Sequence, residues 1–201
     1  MTEIQSTTIA SLCVYCASST GSNPNLSAVT SSLGRLLARE GIELIYGGGA
    51  VGLMGILADS VMESGGRVTG VIPTGLFPIE VGHTAISELI EVGSMHERKA
   101  EMIRRSDAFI ALPGGFGTLE ELAEVLTWAQ IGIHRKPVGL LNIDGFFDAL
   151  LDFFDRCVAD EVLKQTNRDL LAVDTDPGQL LDQLRRHAPV PEPKWHGLEQ
   201  L

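Results

Sequence analysis

Two short segments carry residue types that could do chemistry. The first is Pro113-Gly114-Gly115-Phe116-Gly117-Thr118-Leu119-Glu120-Glu121. Proline sets the exit from a preceding strand. The glycines let backbone come close to a ligand and leave N–H groups free to point at it. Thr118 is expected to open a helix, whose N-terminus carries positive partial charge. Together these parts form a phosphate cradle that needs no lysine. No G-K-[ST] ending follows, so this is not the triphosphate P-loop, and a monophosphate suits it better. Glu121 has two readings. Thr118-x-x-Glu121 has capping-box spacing, in which the glutamate reaches back to the Thr118 N–H. A carboxylate one turn behind a phosphate site is equally placed to serve the bound ligand.

The second segment is Met95-His96-Glu97-Arg98-Lys99-Ala100-Glu101-Met102. Arg98 and Lys99 fall early in a helix. Arg98 with Glu101 can pair along its surface, or Arg98 can turn toward a ligand. Glu120 and Glu124 read as solvated helix residues. Upstream, Gly47-Gly48-Gly49-Ala50-Val51-Gly52 satisfies G-x-G-x-x-G between a strand and a helix. A dinucleotide fold wants an acidic residue at the end of the next strand. That strand ends Val71-Ile72-Pro73-Thr74, which disfavours NAD. The cluster then reads as a tight turn or as a second ligand loop. Cys13 and Cys16 form C-x-x-C, but in and just after an apolar strand and not at a helix start, so buried strand cysteines are the favoured reading over a redox pair. The five histidines show no metal-ligand spacing, and no metal or other cofactor is expected.

These segments need elements to position them. Short β-type runs alternate with helical stretches: strand Ile9–Tyr15, helix Leu26–Arg39, strand Ile42–Tyr46, helix Gly52–Glu63, strand Val68–Ile72, strand Glu88–Val92, helix Met95–Arg105, strand Ala108–Leu112 and helix Leu119–Ile131. Strand Val138–Asn142, helix Phe146–Ala159, strand Leu170–Val173 and helix Gln179–Arg186 complete the series. Such alternation implies βαβ units and an α/β, Rossmann-like, doubly wound and mostly parallel sheet with helices on both faces. One domain over 1–187 is expected, with an irregular Pro-rich tail over 188–201. In such folds ligands sit beyond the carboxyl ends of the strands. The turn at Ser18-Ser19 and both glycine clusters fall there. Ser19 and Gly48 are therefore candidate contacts.

With 201 residues, 44% of them hydrophobic, the chain can bury a full core. Its 26 acidic residues against 15 basic give −11, and such a surface repels a nucleic-acid backbone. No apolar run reaches transmembrane length and the first residues lack a signal-peptide pattern. With three cysteines, this predicts a cytoplasmic protein with no membrane and no nucleic-acid partner.

The motifs P-G-G-x-G-T-x-x-E at Pro113–Glu121, S-M-H-x-R-K-x-x-M at Ser94–Met102 and G-G-G-x-x-G-L-M-G at Gly47–Gly55 occur in one order. The set resembles the LONELY GUY family, phosphoribohydrolases long mislabelled as lysine decarboxylases. The resemblance runs from about residue 9 to residue 186. It implies a Rossmann-like fold, a homodimer, and hydrolysis of the N-glycosidic bond of adenosine 5′-monophosphate or its N6-modified, cytokinin forms. It also implies Arg98 and Glu121 as catalytic residues, with Gly114, Gly115, Phe116, Gly117 and Thr118 as the phosphate loop. Glu80, Met95, Lys99 and Thr127 are further implied substrate contacts. The chain departs from the family's usual residues at Ala17, at Asn25-Leu26 and at Ile79, positions that bear on substrate preference. The alternatives are a carrier of a nucleotide-like molybdenum cofactor and a broad nucleoside-monophosphate nucleosidase.

Overall fold

The computed structural model describes residues 8–75 and 82–187. Its centre is a seven-stranded, all-parallel sheet: β1 (Ser11–Tyr15), β2 (Glu43–Tyr46), β3 (Val68–Pro73), β4 (Glu88–Val92), β5 (Ala108–Ala111), β6 (Val138–Leu141) and β7 (Leu171–Asp174). The spatial order is β4-β3-β2-β1-β5-β6-β7. The chain winds outward from β1 to one edge, then jumps back to β5 beside β1 and winds to the other. The order thus reverses between β1 and β5, the place where ligands bind in such sheets.

Strand alternation divides the core in two. Leu12 and Val14 join Leu33, Leu37, Leu53, Leu57 and Leu180 on one face, supplied by α1 (Pro24–Arg39), α2 (Gly52–Glu63) and α7 (Pro177–Arg185). Cys13 and Tyr15 point the other way, into a cluster with Met102, Phe109, Leu122 and Val125. Helices α3 (Met95–Arg105), α4 (Phe116–Gln130) and α5 (Asp148–Ala159) cover that face. A four-residue helix, α6 (Gln165–Arg168), precedes β7. It is too short to leave a periodic signal in the sequence. The 188–201 tail lies outside the described residues.

Local chemistry explains the boundaries. Asn23 caps α1 by accepting from the Asn25 N–H, with Pro24 in the first turn. Asp176 caps α7 in the same way, again followed by proline. The first turns of these two helices contain polar residues and proline, so apolar spacing alone starts them too late. β3 runs through Pro73, beyond the expected end at Ile72. Its pairing with β2 stops at Gly70, so the missing proline N–H costs nothing on that side. Gly52 opens α2 at φ +64°, and a Cβ there would stand 2.2 Å from the Ser18 carbonyl carbon. Only glycine lets α2 start against the turn that follows β1.

Candidate active site

Three turns meet at the carboxyl edge of the sheet. The turn after β1 is tied to the turn after β5 by the Ala17 N–H donating to the Pro113 carbonyl at 3.2 Å. It is tied to α2 by the Leu53 N–H donating to the Ala17 carbonyl at 3.1 Å. Between them lies a cavity of roughly 460 Å³, the size of a small-molecule site.

Its centre is an ion pair. Ser94 caps α3 by accepting from the Glu97 N–H at 3.2 Å, and Arg98 follows in that first turn of helix. The Arg98 Nε donates to the Val71 carbonyl at 3.1 Å and its Nη1 donates to Glu121 Oε1 at 2.8 Å. Both side chains are 11% exposed. The guanidinium crosses the turn after β2 where Gly47 offers no side chain: a Cβ there would lie 1.9 Å from Arg98 Nη2. Of the two readings of Arg98, the surface pairing with Glu101 is not formed. Glu101 instead accepts from Arg104 and Arg105, which hold its carboxyl down at about 2, and Arg98 is free for the cavity. Burial raises the Glu121 carboxyl above the ordinary carboxylate value, while the charge and hydrogen bond of Arg98 oppose the rise.

The capping-box reading of Glu121 fails on geometry. Helix α4 begins at Phe116 with Gly115 as its N-cap, so Thr118 lies inside the first turn and is not the cap. Thr118 is buried, and its hydroxyl fills the space beside Gly114, where a Cβ would lie 2.1 Å from Oγ1. No side chain caps α4. Its first residues line the cavity, where the helix presents the positive end of its dipole. No Cβ added at Gly115 or Gly117 would meet any atom within 4 Å, so backbone is accessible there.

Of the residues singled out from sequence, Ser19, Met95, Arg98, Gly115, Phe116, Gly117, Thr118 and Glu121 line this one cavity. Phe116 is 94% exposed at its mouth. Four others stand apart from its wall. Gly114 lies behind Thr118. Gly48 packs on β3 and its carbonyl accepts from the His83 N–H at 2.8 Å. Lys99 donates to Glu120 and, at 3.1 Å, to Glu124, so these two glutamates clasp α3 to α4 and are not merely solvated. The Thr127 hydroxyl donates to the Ala123 carbonyl of its own helix at 2.7 Å. Glu80 lies outside the described residues. Sequence reasoning missed Met54 and Ile72, which also line the cavity; both have the spacing of ordinary core positions. Cys13 and Cys16 face opposite sides of the sheet, and burial lifts both thiols, Cys13 to about 12. They are unsuited to redox work.

Among the described residues no group of three or more His, Cys, Asp or Glu could hold a metal ion, and no helix is long and apolar enough to cross a membrane.

A protein-family model described as "Possible lysine decarboxylase" matches residues 54–184. A probable cytokinin riboside 5′-monophosphate phosphoribohydrolase from Oryza sativa subsp. japonica is 51% identical over 179 residues, covering 89% of this chain and 79% of the relative. A cytokinin riboside 5′-monophosphate phosphoribohydrolase from Arabidopsis thaliana is 48% identical, covering 89% and 82%. The chain belongs to the LONELY GUY family. The fold is shared more widely than that family. A molybdenum cofactor carrier protein from Chlamydomonas reinhardtii superposes with a TM-score of 0.64 at 25% identity, covering 87% of this chain and 98% of the other. A molybdenum cofactor binding protein from Rippkaea orientalis gives 0.63 at 23%, covering 86% and 92%, a likeness of fold alone. In this LONELY GUY chain the charged side chains of Arg98 and Glu121 are buried together at the carboxyl edge of the sheet.

Proposed function

We propose that this chain hydrolyses the N-glycosidic bond of adenosine 5′-monophosphates, N6-modified cytokinin forms included, and releases the free base and ribose 5-phosphate. The observation that carries this is the buried Arg98–Glu121 contact, 2.8 Å long, in the same cavity as the uncapped start of α4. The names of the relatives agree with it.

The substrate phosphate rests on the N–H groups of Gly115–Thr118. Binding energy at that end positions the sugar carbon. Cleavage passes through an oxocarbenium-like state with positive charge growing on the ribose. The Glu121 carboxylate, ionised, stabilises that charge and accepts a proton from the attacking water. The water oxygen bonds C1′ as the bond to the base nitrogen breaks, and the electron pair leaves with the base, which takes up a proton. Arg98 has two tasks. It orients Glu121, and it offsets the negative charge developing on the departing purine.

Glu121→Gln keeps the size of the side chain and removes the base. It is expected to lower adenine release from AMP by about 10³-fold while AMP still binds, read by chromatography and calorimetry. Near-normal turnover would return Glu121 to a structural role. Carriage of a nucleotide-like cofactor without hydrolysis is the second reading, favoured by the fold likeness to the Chlamydomonas carrier. Incubation with AMP separates the two: adenine appears only with an enzyme. A panel of purine and pyrimidine monophosphates with one prenylated AMP separates a hormone-activating enzyme from a broad nucleosidase.

The proposal extends to assembly and setting: one catalytic domain over 1–187, working in the cytoplasm as a homodimer. Ile133 and Phe153 are 57% and 60% exposed, and α5 has no fully buried residue, which leaves apolar surface for a second copy. Light scattering that gives the mass of a single chain would oppose the dimer.

A further inference from the structure

The turn that admits the Arg98 guanidinium is Gly47-Gly48-Gly49. Glycine loses more conformational freedom on ordering than any other residue, and this turn has no side chains of its own to hold it. The pairing of β2 with β3 stops at Tyr46 and Gly70. Beyond that point the turn is gripped by residues 82 and 83. Gly82 forms an antiparallel bridge with Gly49, and the His83 N–H donates to the Gly48 carbonyl at 2.8 Å. His83 is itself fixed by its ring, which is buried. The Nδ1 accepts from the Ala85 N–H at 3.3 Å, and the Nε2 lies 2.9 Å from Asp59 Oδ1 on α2. With Nδ1 accepting, Nε2 carries the proton and donates to the carboxylate. Both ring nitrogens are satisfied in the neutral imidazole. Helix α2 is in turn tied to the turn after β1, through the Leu53 N–H and the Ala17 carbonyl.

We infer that His83 is a positioning residue for Arg98: its imidazole, docked on Asp59, holds the Gly47–Gly49 turn in the form that receives the guanidinium. His83 is not among the residues lining the cavity, so it acts through Arg98 and not on a ligand. The inference rests on the proposed function for its effect on turnover, and adds what keeps the central ion pair in place. Two contacts support it. A Cβ on Gly47 would lie 1.9 Å from Arg98 Nη2, so turn and guanidinium are in close contact and a shift of one displaces the other. Gly48, at φ +75°, is already packed against β3, where a Cβ on Gly70 would lie 2.8 Å from the Gly48 Cα. With β3 blocking one direction, a turn released by His83 moves away from the sheet and opens the slot around Arg98.

Three variants test this. His83→Ala removes both ring nitrogens. Asp59→Ala removes the same bond from an exposed side chain, so it carries the test if His83→Ala fails to fold. His83→Gln places an amide N–H where Nε2 stood. With AMP, both alanine variants are expected to lower kcat about ten-fold with KM within about two-fold of wild type, because Arg98 serves the transition state. His83→Gln should hold kcat within about three-fold of wild type. A readout independent of turnover is solvent exchange of the Arg98 Nε–H by NMR. That proton is bonded to the Val71 carbonyl, and its signal is assigned by its loss in Arg98→Lys. Its exchange should be at least about ten-fold faster in both alanine variants, while the backbone amides of β1 and β5 keep their wild-type rates. Unchanged Arg98 exchange in both alanine variants would overturn the inference. So would an equal acceleration of the β1 and β5 amides, which would make His83 a general stabiliser, or a rise in KM at unchanged kcat. Failure of wild type to release adenine contradicts the proposed reaction instead, and the exchange arm then still decides whether His83 positions Arg98.

Discussion

The two glycine turns at the edge of the sheet look alike in sequence and do opposite things in space. In the turn after β2, the room left by glycine is filled by the protein itself. Gly47 admits the Arg98 guanidinium, Gly49 admits Met54, and Gly52 admits the backbone of Ser18 and Ser19. In the turn after β5, Gly115 and Gly117 face open space. The helix starts differ in the same sense. The Leu53 N–H in the first turn of α2 is taken by the Ala17 carbonyl, whereas α4 starts at Gly115 with no side-chain cap. One glycine turn is scaffold that seats the charged residue and the apolar wall. The other is a ligand surface. A glycine-rich turn is thus a statement that something comes close, and only the neighbours say whether that something is protein or ligand.

This contrast can be broken or sharpened experimentally. The largest effect belongs to the open turn. If it holds phosphate, adenosine should be hydrolysed about 10³-fold less efficiently than AMP, because the binding energy that positions C1′ is lost; comparable kcat/KM for the two would remove the phosphate role. Next comes Gly47→Ala. Its Cβ would press on the far end of a flexible side chain, so the guanidinium moves and the fold survives. Turnover should fall about 10²-fold with a thermal midpoint close to wild type, and retained activity would show that Arg98 can work from another position. Gly52→Ala should behave in the reverse way. Its new atom meets backbone at a positive φ, so destabilisation of about 3 kcal/mol is expected in urea unfolding. Gly115→Ala, at φ −93° with nothing nearby, should change stability by less than about 1 kcal/mol. Equal costs for these two alanines would contradict the division between scaffold and surface.

The smallest effect is in pH. The folded-state pKa of Glu121 is raised from the ordinary 4.5, chiefly by burial. Between that value and the raised one, the folded chain binds more protons than the unfolded chain, so this residue's contribution to stability falls as pH rises through the window. Glu121→Gln should flatten that slope. The acidic limb of kcat/KM in the wild-type chain should lie above 4.5, since the ionised carboxylate is the working form. A limb at or below the ordinary carboxylate value would place the working acid elsewhere.

Much of the architecture was legible in the sequence. The bounds of α2, α3 and β4 follow from apolar spacing. The parallel sheet follows from the alternation of strand and helix. Both members of the central ion pair stand out by motif. What the sequence could not separate is instructive. The spacing of Thr118 and Glu121 suits a capping box and a site carboxylate equally, and the choice depends on α4 starting at Phe116, two residues before Thr118, behind an N-cap glycine with no side chain to announce it. Arg98 could have paired with Glu101 on its own helix; the two arginines of the last turn take that carboxylate and release it. Lys99 carries a motif position, yet its ammonium closes onto Glu120 and Glu124 across the helix interface. Met54 and Ile72 were hidden because a cavity wall has the same apolar periodicity as a core. Only the vacant side chains at Gly47 and Gly49 distinguish the two, and that is a tertiary fact.

The most direct test is a crystal structure of Glu121→Gln with AMP bound. The account predicts the phosphate oxygens within hydrogen-bonding distance of the N–H groups of Gly115–Thr118 and C1′ facing residue 121. Phosphate seated on Arg98, with the base turned toward the start of α4, would contradict it.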